Sequence, residues 1–124
     1  MEKQVSGVVL REGVLNENNR EYSFDDMTLP EGPVPLKGPD RTEVGSIILE
    51  KNGHALIGIG QIHSPEMIHK IAGEASVNVK KPVFFFNPIG EGRVINSLVK
   101  NYRIHSVIML EDHPDDGVKP VKYD

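Results

Sequence analysis

The chain has no cysteine and no tryptophan, and aromatic residues make up only 6% of it. The lack of cysteine excludes a disulfide scaffold, a thiol nucleophile and a thiolate metal site together, and it fits a reducing compartment. No apolar run nears the roughly 20 residues of a helical membrane span. Nothing at the start of the chain reads as a signal peptide. Positive charge is also scarce: 14 lysines and arginines stand against 18 aspartates and glutamates, for a formal net charge of −4. That balance argues against a protein that binds nucleic acid directly by covering its phosphates.

What is present fits one globular domain. The 124 residues, 38% hydrophobic and 26% charged, can bury a core without metal or disulfide staples. Twelve glycines and nine prolines leave room for only two short helices, so the remainder reads as strands and turns. The organising stretch is Val34 to Ile62. Val44, Ile47, Ile48 and Leu49 mark one strand, and Ala55 to Ile59 with Ile62 mark a second. Asn52-Gly53 between them has the composition of a type I′ hairpin turn. The unbroken run Ile47-Ile48-Leu49 suits a strand covered on both sides. Gly58 and Gly60 share one face of the second strand, which signals a bulge, a bend or close approach of another backbone. A strongly curved hairpin of this kind seeds a small barrel.

Around it, Gln4–Leu10 reads as a first strand, and Asn16 to Arg20 as a polar loop anchored beyond by Tyr22 and Phe24. Leu29–Pro39 holds Pro30, Pro33, Pro35 and Pro39, so it is an extended connector from which Val34 and Leu36 dip into the core. Ser64-Pro65-Glu66 opens a helix over Pro65–Ala72, with Ser64 as N-cap and Gly73 closing it. Val77, Val79 and Val83-Phe84-Phe85-Phe86 read as strands, and Asn87-Pro88-Ile89-Gly90 as a turn. A second helix is expected over Gly92–Lys100, on the stripe Val94, Ile95, Leu98 and Val99. Gly90-Glu91-Gly92 only faintly echoes a phosphate loop, lacking the third glycine and the lysine, and reads as the flexible lead into that helix. Ile104–Leu110 is the last clear strand. The expected fold is therefore mainly β: a barrel-like antiparallel sheet of α+β type with two short flanking helices. Residues 1–110 form the domain and 111–124 a polar C-terminal tail.

The order of these parts resembles the prohead (capsid-maturation) proteases of tailed bacteriophages. The resemblance is carried by Gly13-Val14-Leu15-Asn16 through Asn19-Arg20-Glu21-Tyr22, by the run from Val34-Pro35-Leu36 to Ile62, and by the central serine of Ile104-His105-Ser106-Val107-Ile108. It covers about Val5 to Leu110. It implies a small β-barrel flanked by helices, with Ser106 as the nucleophile if the chain is active. The family's catalytic histidine follows the Val-Pro-Leu strand, but here Lys37-Gly38-Pro39-Asp40-Arg41-Thr42-Glu43 offers no imidazole. A serine without a base is a poor nucleophile, and Asp40, with an ordinary carboxyl pKa of about 3.9, is a weak base. The expectation is thus a non-catalytic capsid-associated protein (head decoration, cement or assembly component) in the virion, assembled in the host cytoplasm. It would partner the major capsid protein or other head subunits and self-associate, without a cofactor or metal. Two alternatives stay open: a minimal serine prohead protease pairing Ser106 with His54 or His63, and a small protein that binds and inhibits a host protein.

The five histidines, His54, His63, His69, His105 and His113, lack the i, i+3 or i, i+4 spacing of metal ligands. His113, among Glu111, Asp112, Asp115 and Asp116, suits either a hard cation or a solvated acidic turn. Phe84 and Phe86 should fill the barrel, which turns Phe85 outward to be covered by a helix or by a partner. In the tail, Val118, Val121 and Tyr123 alternate loosely with polar residues. They could add a strand to a neighbouring subunit or fold back along the barrel's own edge.

Overall fold

The computed structural model describes residues 2–13, 20–72, 84–111 and 121–123. Strands β1 (Lys3–Arg11), β2 (Glu21–Tyr22), β3 (Val34–Lys37), β4 (Glu43–Asn52) and β5 (Ala55–Ile62) precede helix α1 (Pro65–Ala72). Strands β6 (Phe85–Ile95), β7 (Leu98–Leu110) and β8 (Lys122–Tyr123) follow. Among the described residues all belong to one 8-stranded sheet, in the order β2-β7-β3-β4-β5-β1-β8, with β6 on the other edge of β7. The sheet is mainly antiparallel. The exceptions are β2 and β3, which run parallel to the two ends of β7 along a single edge. It curls into a half-barrel.

The central hairpin forms as its sequence dictates, with one change. Asn52 and Ala55 are the last paired residues, so the two turn positions are Gly53 and His54. Gly53 alone has positive φ, 63°, which is the pattern of a II′ turn rather than the expected I′. Gly58 and Gly60 face into the curl. A Cβ on Gly58 would come 2.6 Å from Ile47 Cδ1 and 2.9 Å from Val9 Cγ2, so these glycines admit the side chains that fill the narrow interior. The connector's Val34–Lys37 is itself a strand, laid between β4 and β7 with Leu36 fully buried. α1 covers one end of the core with Met67 and Ile71, and Met67 N–H donates to the Ser64 hydroxyl as an N-cap bond.

The expected helix over Gly92–Lys100 is absent. Its residues form the tip of a long β6–β7 hairpin, and Asn87-Pro88-Ile89-Gly90 lies within β6 instead of turning the chain. Asn96 (φ 50°) and Ser97 (φ 72°) make the two-residue turn. Val94 faces Val99 and Ile95 faces Leu98 across it. The apolar positions that read as a helical stripe are therefore two mirrored cross-strand pairs. Ser97 lacks glycine's freedom at positive φ, but its carbonyl accepts a 2.7 Å bond from Glu21 N–H, which ties the turn to β2.

Phe84 and Phe86 fill the core as expected, and Phe85 is buried on the other face, which leaves little of it for a partner. Val121 is likewise spent within its own chain: it packs into the core and its N–H donates 2.9 Å to the Phe84 carbonyl. β8 then pairs with β1, Tyr123 opposite Val5, so the strand addition is made to the chain's own edge. Val118, His113, Gly73, Val77, Val79, Val83 and the Asn16–Asn19 loop lie outside the described residues.

A polar clasp holds the β2 segment in place. One carboxylate oxygen of Glu12 accepts the Phe24 N–H at 2.6 Å, and the other lies 3.0 Å from His54 Nδ1. Lys51 Nζ donates to the Phe24 carbonyl at 2.9 Å. The Phe24 amide bond first, then His54, holds the Glu12 carboxyl below its ordinary value of 4.5. A depressed folded pKa means that this contribution is present above about pH 4.5 and is lost as pH falls through the folded value. Urea midpoints should therefore drop on acidification below that point in the wild type, and drop less in Glu12→Gln. Parallel acid limbs in the two proteins would remove the clasp from the acid response.

Candidate functional site

Ser106 sits near the middle of β7 opposite Ile89 and is 4% exposed. The ladder shifts there: Ile89 faces Ser106 but Gly90 faces Ile104, so His105 is an extra residue in β7. His105 lies exposed, with Nε2 3.4 Å from Glu91 Oε1. The two neighbours thus differ in exposure, and the imidazole adjacent in sequence is engaged with a carboxylate, not the hydroxyl.

The other histidines proposed as bases lie elsewhere. His54 is in the β4–β5 turn at the far end of β5, beside Glu12. His63 follows Ile62, in a row that runs Val107, Leu36, Gly45, Ile62 across β7, β3, β4 and β5. Three interstrand steps place it about 14 Å from β7 along the sheet. Among the described residues, no three histidine, aspartate or glutamate side chains gather to hold a metal ion.

Where the resemblance calls for an imidazole, the chain makes a tight loop. Gly38 N–H donates to the Thr42 carbonyl and Arg41 N–H to the Gly38 carbonyl, both at 2.9 Å, with Arg41 at φ 69°. Asp40 Oδ1 accepts the Thr42 N–H at 3.0 Å. The Thr42 backbone and then its hydroxyl hold the Asp40 carboxyl below its ordinary 3.8, with a smaller contribution from Lys70. Stabilising the carboxylate makes it a still weaker proton acceptor.

This loop and the start of α1 enclose a cleft of about 260 Å³, lined by Asp40, Thr42, Ser64, Glu66 and Lys70 over Val44 and Met67. The Ser64 hydroxyl is occupied as the helix cap, and Lys70 is drawn 3.1 Å to Glu111, its ammonium 5.6 Å from the Phe84 ring centroid. The cleft offers fixed charges and hydroxyls for holding a small polar group, and no imidazole among the residues that line it. Sequence reading identified the helix cap and the proline-rich loop but not that they face each other. No signal in either segment encodes that pairing, which arises from the order of strands between them.

A second surface stands out. Ile48 (54% exposed) and Ile59 (39% exposed) face each other across β4 and β5 on the outside of the sheet. The half-buried Ile57 and Val8 form the next cross-strand pair on that side. Further off, Val94 and Ile95 are exposed near the tip of the β6–β7 hairpin. The sequence treated Ile48 as part of a strand covered on both sides; its outer side is open among the described residues. No protein-family model matches the chain, and no curated protein matches it.

Proposed function

We propose that this chain is a non-catalytic binding protein that works as a capsid-associated structural component, docking on the major capsid protein or other head subunits. The observation that carries the binding role is the Ile48–Ile59 pair, continued by the half-buried Ile57 and Val8, on the outer face of β4, β5 and β1. Isolated apolar residues on a surface mean little, but a contiguous exposed apolar cluster is what protein contacts use. The capsid role comes from the resemblance in the order of segments. Against catalysis stand the burial of Ser106, the carboxylate-bound His105 and the loop in which Asp40 is committed to Thr42.

Two measurements test the reading. Ile48→Glu should abolish co-purification with capsid particles while leaving the melting temperature within a few degrees of wild type, because the side chain lies outside the core. Unchanged incorporation of that variant would overturn the docking face. A fluorophosphonate probe should leave the protein unlabelled, and Ser106→Ala should leave particle incorporation unchanged. Labelling that disappears in Ser106→Ala would replace this proposal with the serine protease.

A further inference from the structure

We infer that two copies of this chain pair through the open edge of β6, antiparallel, about a two-fold axis at Gly92. The pairing is a property of the isolated protein and does not depend on the capsid role. Several features of the β6–β7 hairpin lead to it. On the β7 side, the tip is already occupied: β2 pairs with Leu98 and Val99, and Thr28 N–H donates to the Tyr102 carbonyl at 3.0 Å. On the β6 side, no described strand pairs with Gly90–Ile95, and all of these residues are exposed. Both shifts in the ladder place their extra residue in β7. One lies between Ile104 and Ser106; the other lies between Lys100 and Arg103, where Asn101 has φ 55°. β6 itself therefore carries no extra residue along Gly90–Ile95, and an open edge without an inserted residue can accept another strand.

The sequence of that edge is self-complementary. With Gly92 opposite Gly92 of the second copy, Glu91 faces Arg93, Gly90 faces Val94 and Ile89 faces Ile95. The two-fold axis makes every one of these contacts twice. Shifting the centre to Glu91 would set carboxylate against carboxylate, and shifting it to Arg93 would set guanidinium against guanidinium. Charge thus selects one register. Within the monomer, Arg93 faces Lys100 across the ladder, a like-charge pair that a carboxylate on the open side would relieve. The same register covers part of Val94 and Ile95, which are 47% and 44% exposed in the single chain. The opposing reading is that Glu91 and Arg93 are charges that keep a bare edge from pairing.

Sedimentation of purified variants at low salt separates the two. Wild type should show a concentration-dependent dimer. Glu91→Arg and Arg93→Glu should each weaken it by about tenfold or more, since each creates two like-charge contacts. An equimolar mixture of these two variants should associate again, because one copy then carries two arginines and the other two glutamates. The double variant E91R/R93E should also self-associate. Circular dichroism should show all of them folded, the altered side chains being exposed. A wild type that stays monomeric at every concentration would overturn the inference. So would a dimer indifferent to the single reversals, or a mixture no stronger than its components. As a check on register, E91C mixed with R93C should form an intermolecular disulfide more readily than either alone; preferential self-linking of E91C would overturn the Gly92-centred pairing.

Discussion

Gly45→Ala is expected to leave little folded protein. Gly45 lies inside β4 and is paired on both sides, with Leu36 of β3 and with Ile62 of β5. A Cβ there would run into the carbonyl oxygen of Gln61 and come 2.9 Å from its carbonyl carbon. Those are backbone atoms, so no side chain can swing aside. Relief requires β4 and β5 to separate or slip, and slipping by one residue would turn Ile47 and Leu49 out of the core. Overpacking a core ordinarily costs about 1–3 kcal/mol, and a backbone collision in a central strand belongs at or above the top of that range. That is a large share of a total stability of about 5–15 kcal/mol. Urea unfolding should show a much lower midpoint or no folded baseline. Gly32→Ala is the control, since a Cβ at Gly32 meets nothing within 4 Å, and it should behave as wild type. Equal midpoints for Gly45→Ala and wild type would refute the steric account.

Phe86→Ala carries the second large effect. Phe86 is fully buried in β6, opposite Met109, and its Cδ2 lies 3.6 Å from where a Cβ would stand on Gly7 of β1. β1 and β6 share no ladder among the described residues, so this ring fills the gap between two strands that hydrogen bonds do not join. Truncation removes the ring's transfer free energy and leaves a cavity that the curled sheet cannot easily collapse, about 3–5 kcal/mol. For a domain of this size that corresponds to a melting temperature lowered by roughly 10–20 °C. Phe85→Ala should cost less, because Phe85 is buried outside the main core. Equal losses for the two would mean that both faces of β6 matter alike.

Elements whose signals are local were legible in the chain. Gly53 between two apolar runs specifies a hairpin, since glycine enters positive φ without strain. Ser64-Pro65 begins a helix because hydroxyl and ring both suit its first turn. The alternation of Phe84 and Phe86 places both rings in the core. Tertiary structure decided three things instead. Val94, Ile95, Leu98 and Val99 satisfy a helical stripe and a mirrored hairpin equally; pairing of Glu21 and Tyr22 with Leu98 and Val99 selects the hairpin. Val121 goes to the chain's own core rather than to a neighbour because Phe84, distant in sequence, presents its carbonyl there. The surroundings of Ser106 follow from the extra residue at His105, a shift in strand pairing that neither strand shows alone. Turns and caps depend on residues a few positions apart, so they are legible in order. Register, bulges and the facing of distant loops depend on which strands become neighbours, and only closing the sheet settles that.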